Sequence, residues 1–180
     1  MIDCDFVKAV WVNLNSNILS IDDAGYLCCW DVDSETCVSR VKLADAPLTD
    51  IKLSLDRSFA VITSRDSKAR LVRVDDLTIL KTYTSDRPLN ACAISPILNH
   101  VLLAGGQEAT DVTLSGAGEG HFEVEFWHTI YEEKLTQVTG HFGPVNTLAI
   151  SRDGQMFASG GEDGNVRLYQ FDEGYLNSKY

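Results

Sequence analysis

The residues of this chain that could perform chemistry are a glycine-rich run, four histidines and several carboxylates. The run Gly116–Gly120 reads GAGEG, which has the composition of a phosphate-binding loop. Such loops need a helix N-terminus behind them and usually a lysine, whereas Glu119 would repel a phosphate. We therefore interpret this run as a flexible hairpin tip.

Metal binding and general acid–base catalysis are the other chemistries that these residue types support. None of the histidines has a second ligand at metal spacing, and no cysteine pair accompanies them (His100, His121, His128 and His141). Asp153, Glu162 and Asp163 could form a carboxylate pair or a cation site. However, Asp153 and Asp163 each precede a glycine, as in turns where the carboxylate accepts backbone N–H bonds. With no G-x-S-x-G motif either, the sequence predicts no enzyme, no metal and no cofactor.

The amino-acid composition limits the kinds of binding partner and the cellular compartment that we expect for this protein. The 180 residues carry 15 basic and 26 acidic side chains, a net charge of −11, which disfavours direct nucleic-acid binding and favours basic protein surfaces. The five cysteines are odd in number and show no C-x-x-C spacing, which is typical of reduced thiols. No apolar run approaches the roughly 20 residues that span a bilayer. We expect a cytoplasmic protein with no membrane contact.

An internal repeat sets the elements that position these residues. Proline, an aliphatic residue and an alternating strand ending in serine recur as Pro47–Ser54, Pro88–Ser95 and Pro144–Ser151. A second marker stands near the end of the third strand of each unit (Trp30, Val72, Trp127 and Tyr169). Both markers give a period of about 42 residues, with one insertion of about 13 to 15 residues in the third unit.

Each repeat unit consists of short strands separated by turn residues. In the fourth unit, strands are predicted at Val145–Ile150, Phe157–Gly160 and Val166–Phe171, while Asp172–Tyr180 alternates poorly and gives no convincing fourth strand. No segment shows an apolar period of 3.6 residues, so helices should be scarce. A four-stranded unit of about 42 residues is the length of one β-propeller blade. The sequence predicts an all-β single domain over 1–180, with blades at about 6–46, 47–87, 88–143 and 144–180.

Short motifs resemble the WD-repeat family. A Trp-Asp pair, Trp30-Asp31, ends the first unit, and the fourth unit opens with Gly140-His141. In that family a histidine, a serine or threonine, an aspartate and a tryptophan form a buried hydrogen-bonded chain within each blade. The matching positions in the fourth unit are His141, Ser159, Asp163 and Tyr169, with tyrosine in place of tryptophan. The second unit keeps Asp66 clearly, but Ala44 and Val72 stand at its histidine and tryptophan positions.

Three longer runs are similar to one branch of that family, subunit i of eukaryotic translation initiation factor 3. They are Ala104–Thr113, Gly140–Asn146 and Gly160–Arg167. Such subunits close a seven-bladed ring, which needs about 300 residues. The resemblance therefore implies that these four units correspond to the C-terminal part of the family and belong to a longer protein or a split gene product. It also implies that a strand from the N-terminal end closes the last blade.

The same resemblance implies a function. The chain would be a non-catalytic scaffold that holds subunits b and g of the factor and meets the small ribosomal subunit indirectly. In the family, an acid in the first turn and an apolar residue on the third strand of one blade hold a C-terminal helix of subunit b. The matching positions are Asp56 and Leu71, and Arg73 stands where some members carry an acid.

Three alternatives stay open at this point. Another WD-repeat adaptor, such as a kinase-receptor-associated signalling scaffold, would share the Gly-His and Trp-Asp pairs but should lack the insertion beginning GGQEA. An enzyme with a propeller pocket would need convergent polar residues on one face. A ubiquitin-ligase substrate receptor would need a separate adaptor-binding region.

Overall fold

The computed structural model describes residues 5–106 and 122–177. The run Gly116–Gly120, His121 and most of the insertion in the third unit lie outside the described residues. Within those ranges the chain forms four antiparallel sheets in order along the sequence, so the all-β prediction is confirmed.

Each of the first three sheets is a four-stranded meander in which consecutive strands are neighbours. The first sheet contains β1 (Phe6–Val12), β2 (Asn17–Asp22), β3 (Tyr26–Asp31) and β4 (Thr36–Lys42). The second contains β5 (Leu48–Leu53), β6 (Phe59–Ser64), β7 (Lys68–Arg73) and β8 (Ile79–Thr84). The third contains β9 (Leu89–Ile94), β10 (His100–Gly105), β11 (Val124–His128) and β12 (Lys134–Val138).

The fourth sheet has three strands, β13 (Val145–Ile150), β14 (Met156–Gly161) and β15 (Val166–Gln170). Within the described residues this sheet has no fourth strand, in line with the poor alternation after Phe171. The physical reason lies directly after β15, where the Asp172 carboxylate accepts a hydrogen bond from the Tyr175 backbone N–H at 2.7 Å. That cap starts a short helix, α1 (Glu173–Leu176), in place of a strand.

The core lies between successive sheets. One apolar cluster joins the first and second sheets, with Leu19, Ile21, Leu27, Leu48, Ile51 and Ile62 among its members. A second joins the second and third sheets (Val61, Leu71, Tyr83, Leu89, Leu103 and Trp127), and a third joins the third and fourth (Leu102, Val124, Phe126, Val145, Leu148 and Phe157). Alternation along each strand sends one face of a sheet to each neighbour, so the sheets stack in series.

The first strands of the sheets are in register across the stack. Asp50 on β5 is nearly buried and accepts hydrogen bonds from Lys8 Nζ on β1 and from the Cys92 backbone N–H on β9, the latter at 3.2 Å. These three residues are each 42 positions apart. In the first three sheets, the repeat period seen in the sequence is therefore the spacing between equivalent levels of neighbouring sheets.

Candidate functional site

An open groove lies between the turns of the second and third sheets. Its volume is about 680 Å³. Most of the side chains along it are apolar (Leu55, Phe59, Leu71, Leu80, Ile94, Ile97, Leu98 and Ile130). A concave apolar surface with a few polar groups at its edge is suited to recognition of another molecule.

The third-sheet wall of the groove is fixed by hydrogen bonds. The Thr129 carbonyl accepts from the Tyr83 hydroxyl at 2.8 Å, and the Thr129 N–H donates to the Asn99 carbonyl at 2.8 Å. His128 Nδ1 accepts from the backbone N–H of Ile130 at 3.1 Å, which holds the turn that carries Ile130. The wall is therefore organised before any partner arrives.

Asp56 stands on the second-sheet wall, in the turn between β5 and β6. Its carboxylate accepts hydrogen bonds from the Ser54 hydroxyl at 2.6 Å, from the Ser58 hydroxyl at 2.7 Å and from the Ser58 backbone N–H at 3.1 Å. These hydrogen bonds lower the pKa of Asp56 to about 2, and the Ser54 hydroxyl makes the largest contribution, followed by Ser58. The groove edge thus carries an oriented negative charge at neutral pH.

Leu71 and Arg73 are both on β7, but only one of them reaches the groove. Leu71 lines it while being only 8% exposed and packed into the cluster between the second and third sheets. A Leu71→Asp substitution would therefore damage the core as well as the groove. Arg73 points elsewhere, and its guanidinium pairs with Asp76 at 3.1 Å. The structure brings Asp56 and Leu71 together, and their role in partner binding stays a prediction.

The third-sheet wall was missed by reasoning from the sequence. The sequence feature that could have indicated this wall is the presence of aliphatic residues in turns, where the backbone conformation does not require them. Ile97 is 52% exposed and Ile130 is 51% exposed. Exposed apolar residues in adjacent turns mark interaction surfaces when they cluster, and only the fold shows that these two do.

The predicted hydrogen-bonded chain of the fourth unit is present over three of its four residues. His141 Nε2 lies 2.7 Å from the Ser159 hydroxyl, and His141 Nδ1 lies 3.0 Å from Asp163. His141, and then the backbone N–H groups of Phe142 and Asn165, hold the pKa of Asp163 well below its usual range. Within the described residues, Tyr169 makes no hydrogen bond to His141, Ser159 or Asp163. Its ring stacks on that of Phe157 instead, with ring centroids 4.5 Å apart.

In the first unit the two predicted residues do different things. Trp30 Nε1 donates to the Ser20 hydroxyl at 2.8 Å, a link between β3 and β2. Asp31 accepts from the Ser34 hydroxyl at 2.7 Å and from its backbone N–H at 2.8 Å, and these bonds lower the pKa of Asp31. Asp31 is therefore a turn former beside Trp30.

The third unit contains a buried ionic network that no motif indicated. Arg87, 3% exposed, pairs with Glu123 and with Glu125, the latter at 3.0 Å. Glu125 also accepts from Trp127 Nε1 at 3.0 Å and from Lys134 Nζ at 2.8 Å. Glu125 thus holds the indole of Trp127, and Arg87 and Lys134 balance the charge of that glutamate.

Residues 5–106 and 122–177 contain no cluster of three or more side chains that could hold a metal ion. Among the same residues, no helix is long and apolar enough to cross a bilayer.

Comparison with known proteins shows which proteins share this repeated sequence. The WD domain, G-beta repeat family matches residues 132–170, which run from the turn before β12 to the end of β15. Proteins named eukaryotic translation initiation factor 3 subunit I match nearly the whole chain. The Bombyx mori protein is 41% identical over 97% of this chain and 53% of its own length.

The chain contains a WD-repeat match in its last third and is similar to initiation factor 3 subunit I over nearly its whole length. The Nematostella vectensis protein is 42% identical over 92% of the chain and 52% of its own length. The Drosophila virilis protein is 41% identical over 99% of the chain and 56% of its own length. The chain thus spans about half the length of the subunit I relatives that it matches, and the resemblance stated from the motifs is confirmed.

Proposed function

We propose that this chain is a non-catalytic scaffold of eukaryotic translation initiation factor 3, acting in the cytoplasm. It would bind other subunits of the factor during initiation on the small ribosomal subunit. The observation that carries this proposal is the apolar groove edged by Asp56 and Leu71, in a chain 41% identical to a subunit I relative.

The architecture that we propose for this role is a β-propeller segment. The four sheets would be consecutive blades of a seven-bladed ring, forming one domain over 1–180 with blades at about 6–46, 47–87, 88–143 and 144–180. Serial face-to-face packing of the sheets and the 42-residue register of Lys8, Asp50 and Cys92 support this arrangement. A rigid stack of blades presents fixed turns to several partners at once.

The mechanism is surface recognition by the groove. An amphipathic helix would place its apolar residues between the two walls and its basic residues near Asp56. Serine hydroxyls orient the Asp56 carboxylate beforehand, so a partner lysine or arginine meets a fixed acceptor. Arg73 is occupied by Asp76 and does not cancel the charge of Asp56.

The partners that we propose follow the family. A C-terminal helix of subunit b would occupy the groove, and subunit g would bind on the same scaffold. Contact with the small ribosomal subunit would be indirect, since a net charge of −11 opposes binding to an RNA backbone.

Affinity purification from nuclease-treated cytosolic extract tests the proposal, with the wild-type chain and an Ile130→Asp variant as parallel baits. We expect subunits b and g with the wild-type bait and a loss of subunit b with the variant, because Ile130 is a half-exposed groove residue. Recovery of signalling-receptor components without factor subunits would instead support the alternative WD-repeat adaptor.

A further inference from the structure

Three exposed aliphatic residues occupy equivalent places at one end of the sheet stack. Asp50 on β5 contacts both Lys8 on β1 and the Cys92 backbone N–H on β9, so these three residues stand at the same level of the stack. Five or six residues beyond that level, each strand has ended in a turn whose tip carries Leu14, Leu55 or Ile97. The three side chains are 98%, 65% and 52% exposed, respectively.

Leu14 is held out to solvent by a strained backbone. Asn13, Leu14 and Asn15 have φ values of 49°, 54° and 70°, all in the left-handed region. Asparagine tolerates this region, whereas leucine does so at a cost. The Ser16 hydroxyl and N–H both donate to the Asn13 carbonyl, at 2.7 and 3.1 Å, which fixes the turn. A strained, fully exposed leucine at a fixed tip is expected where a partner uses it.

The other two tips are continuous with the groove. Leu55 and Ile97 stand on its two walls. Ile97 also packs over the next turn, since a Cβ built at Gly154 would lie 2.6 Å from Ile97 Cγ1. Leu14, Leu55 and Ile97 form a row that extends the groove towards the first sheet. The hydrogen-bonded turn of Leu14 fixes one end of the row, and the packing of Ile97 on Gly154 fixes the other.

The turns at this end of the stack are acidic. The turns that follow β1, β3, β5, β7, β9, β11 and β13 contain two arginines, Arg57 and Arg152, against eight carboxylates (Asp33, Glu35, Asp56, Asp75, Asp76, Glu132, Glu133 and Asp153). Among the described residues, lysine and arginine from neighbouring strands pair with two of these carboxylates, Lys81 with Glu132 and Arg73 with Asp76. An apolar row inside an acidic rim is complementary to a partner with an apolar stripe and basic flanks.

The spacing of the row sets the form of that partner. Packed sheets lie about 10 Å apart, and an α-helix rises about 1.5 Å per residue, so neighbouring tips are separated by about seven helical residues. Residues seven apart fall on one face of a helix. We propose that Leu14, Leu55 and Ile97 form a docking track for one basic amphipathic helix of about 15 residues or more, with apolar residues recurring about every seven positions. This inference rests on the proposed function only in taking the groove as a helix-docking site.

A designed peptide tests the track with the full 180-residue chain. The probe is a lysine- and arginine-rich helix of about 18 residues with three leucines about seven apart. Its control has the same composition with the leucines about five apart, so that they point to different sides of the helix. We expect the chain to bind the first peptide more tightly, by about tenfold or more, as measured by fluorescence polarisation.

Leu14→Asn is the decisive variant, because asparagine keeps the left-handed turn and removes only the apolar side chain. It should weaken binding of the seven-spaced peptide by about tenfold while the melting temperature stays equal or rises. Leu168→Asn is the matched control, since Leu168 is a 70% exposed leucine on β15 away from these turns, and binding should not change. Unchanged binding by Leu14→Asn, together with weakened binding by Ile130→Asp, would overturn the track and leave the groove. Unchanged binding by both variants would overturn both.

Discussion

The carboxylate of Asp50 accepts a hydrogen bond from the Cys92 backbone N–H at 3.2 Å, across the boundary between the second and third sheets. The same carboxylate pairs with Lys8 of the first sheet and accepts from its neighbour's backbone N–H at Ile51. One nearly buried acid therefore ties three sheets together at one level of the stack.

Asp50→Ala should lower the free energy of unfolding by about 3 kcal/mol, because it strands buried partners of a charged group. Urea denaturation measures this value. Asp45→Ala is the control, since the Asp45 side chain is fully exposed, and its effect should stay within about 0.5 kcal/mol. Equal effects of the two variants would contradict the role of Asp50 as a link between sheets.

Glu125→Ala should also destabilise the chain by about 3 kcal/mol. The substitution leaves the buried guanidinium of Arg87 and the indole N–H of Trp127 without their shared acceptor. Glu133→Ala, in the exposed turn nearby, serves as the control in the same denaturation experiment. A Glu125 variant as stable as the Glu133 variant would show that the network does not stabilise the third sheet.

Asp56 should titrate at about pH 2 in a carboxyl NMR experiment. Ser54→Ala and Ser58→Ala should each raise that pKa towards the ordinary value of about 3.9, since each removes a donor to the charged form. Because the folded pKa lies below the unfolded one, the contribution of Asp56 to stability is complete above about pH 4 and is lost as the pH falls through about 2. An unshifted pKa in the wild-type chain would contradict the observed hydrogen bonds.

Gly140→Ala should destabilise the fourth sheet by about 1 to 2 kcal/mol, because the added Cβ would lie 2.5 Å from the Tyr169 hydroxyl oxygen. Tyr169→Phe removes that oxygen and keeps the ring that stacks on Phe157. The double variant should therefore recover most of the lost stability. A double-mutant cycle of thermal unfolding measures the coupling, and purely additive effects would show that the hydroxyl is not the obstacle.

The sheets could be predicted from the sequence because their signals are local. Alternating apolar residues and an Asp-Gly turn gave β13 the bounds Val145–Ile150, as observed. The missing fourth strand of the last sheet was visible as poor alternation after Phe171. The cap that replaces it, from Asp172 to Tyr175, was not predicted.

The buried network of the third sheet could not be predicted, because its partners are far apart in the chain. Arg87 and Glu125 are separated by 38 residues, and in the sequence they look like ordinary surface charges, one in a turn and one in an alternating strand. Their burial becomes visible only in the folded structure, where β11 lies next to the turn before β9. Tyr169 illustrates the opposite error, since a motif position was filled by a ring that packs without joining the hydrogen-bonded chain.

The groove was half predictable. Asp56 and Leu71 came from the resemblance to subunit i, whereas the opposite wall at Ile97 and Ile130 depends on how the second and third sheets stack. The role proposed for Leu14 could not be predicted from nearby residues at all, because it depends on this turn lying at the same level of the stack as two other turns.

The most direct test of the account is the affinity between this chain and a purified C-terminal helix of subunit b, measured by isothermal titration calorimetry. We predict one-to-one binding, weakened by about tenfold or more by Ile130→Asp and also by Leu55→Asp, with wild-type melting temperatures for both variants. Absence of binding by the wild-type chain, or equal binding by the two groove variants and the wild type, would contradict the groove as the docking site.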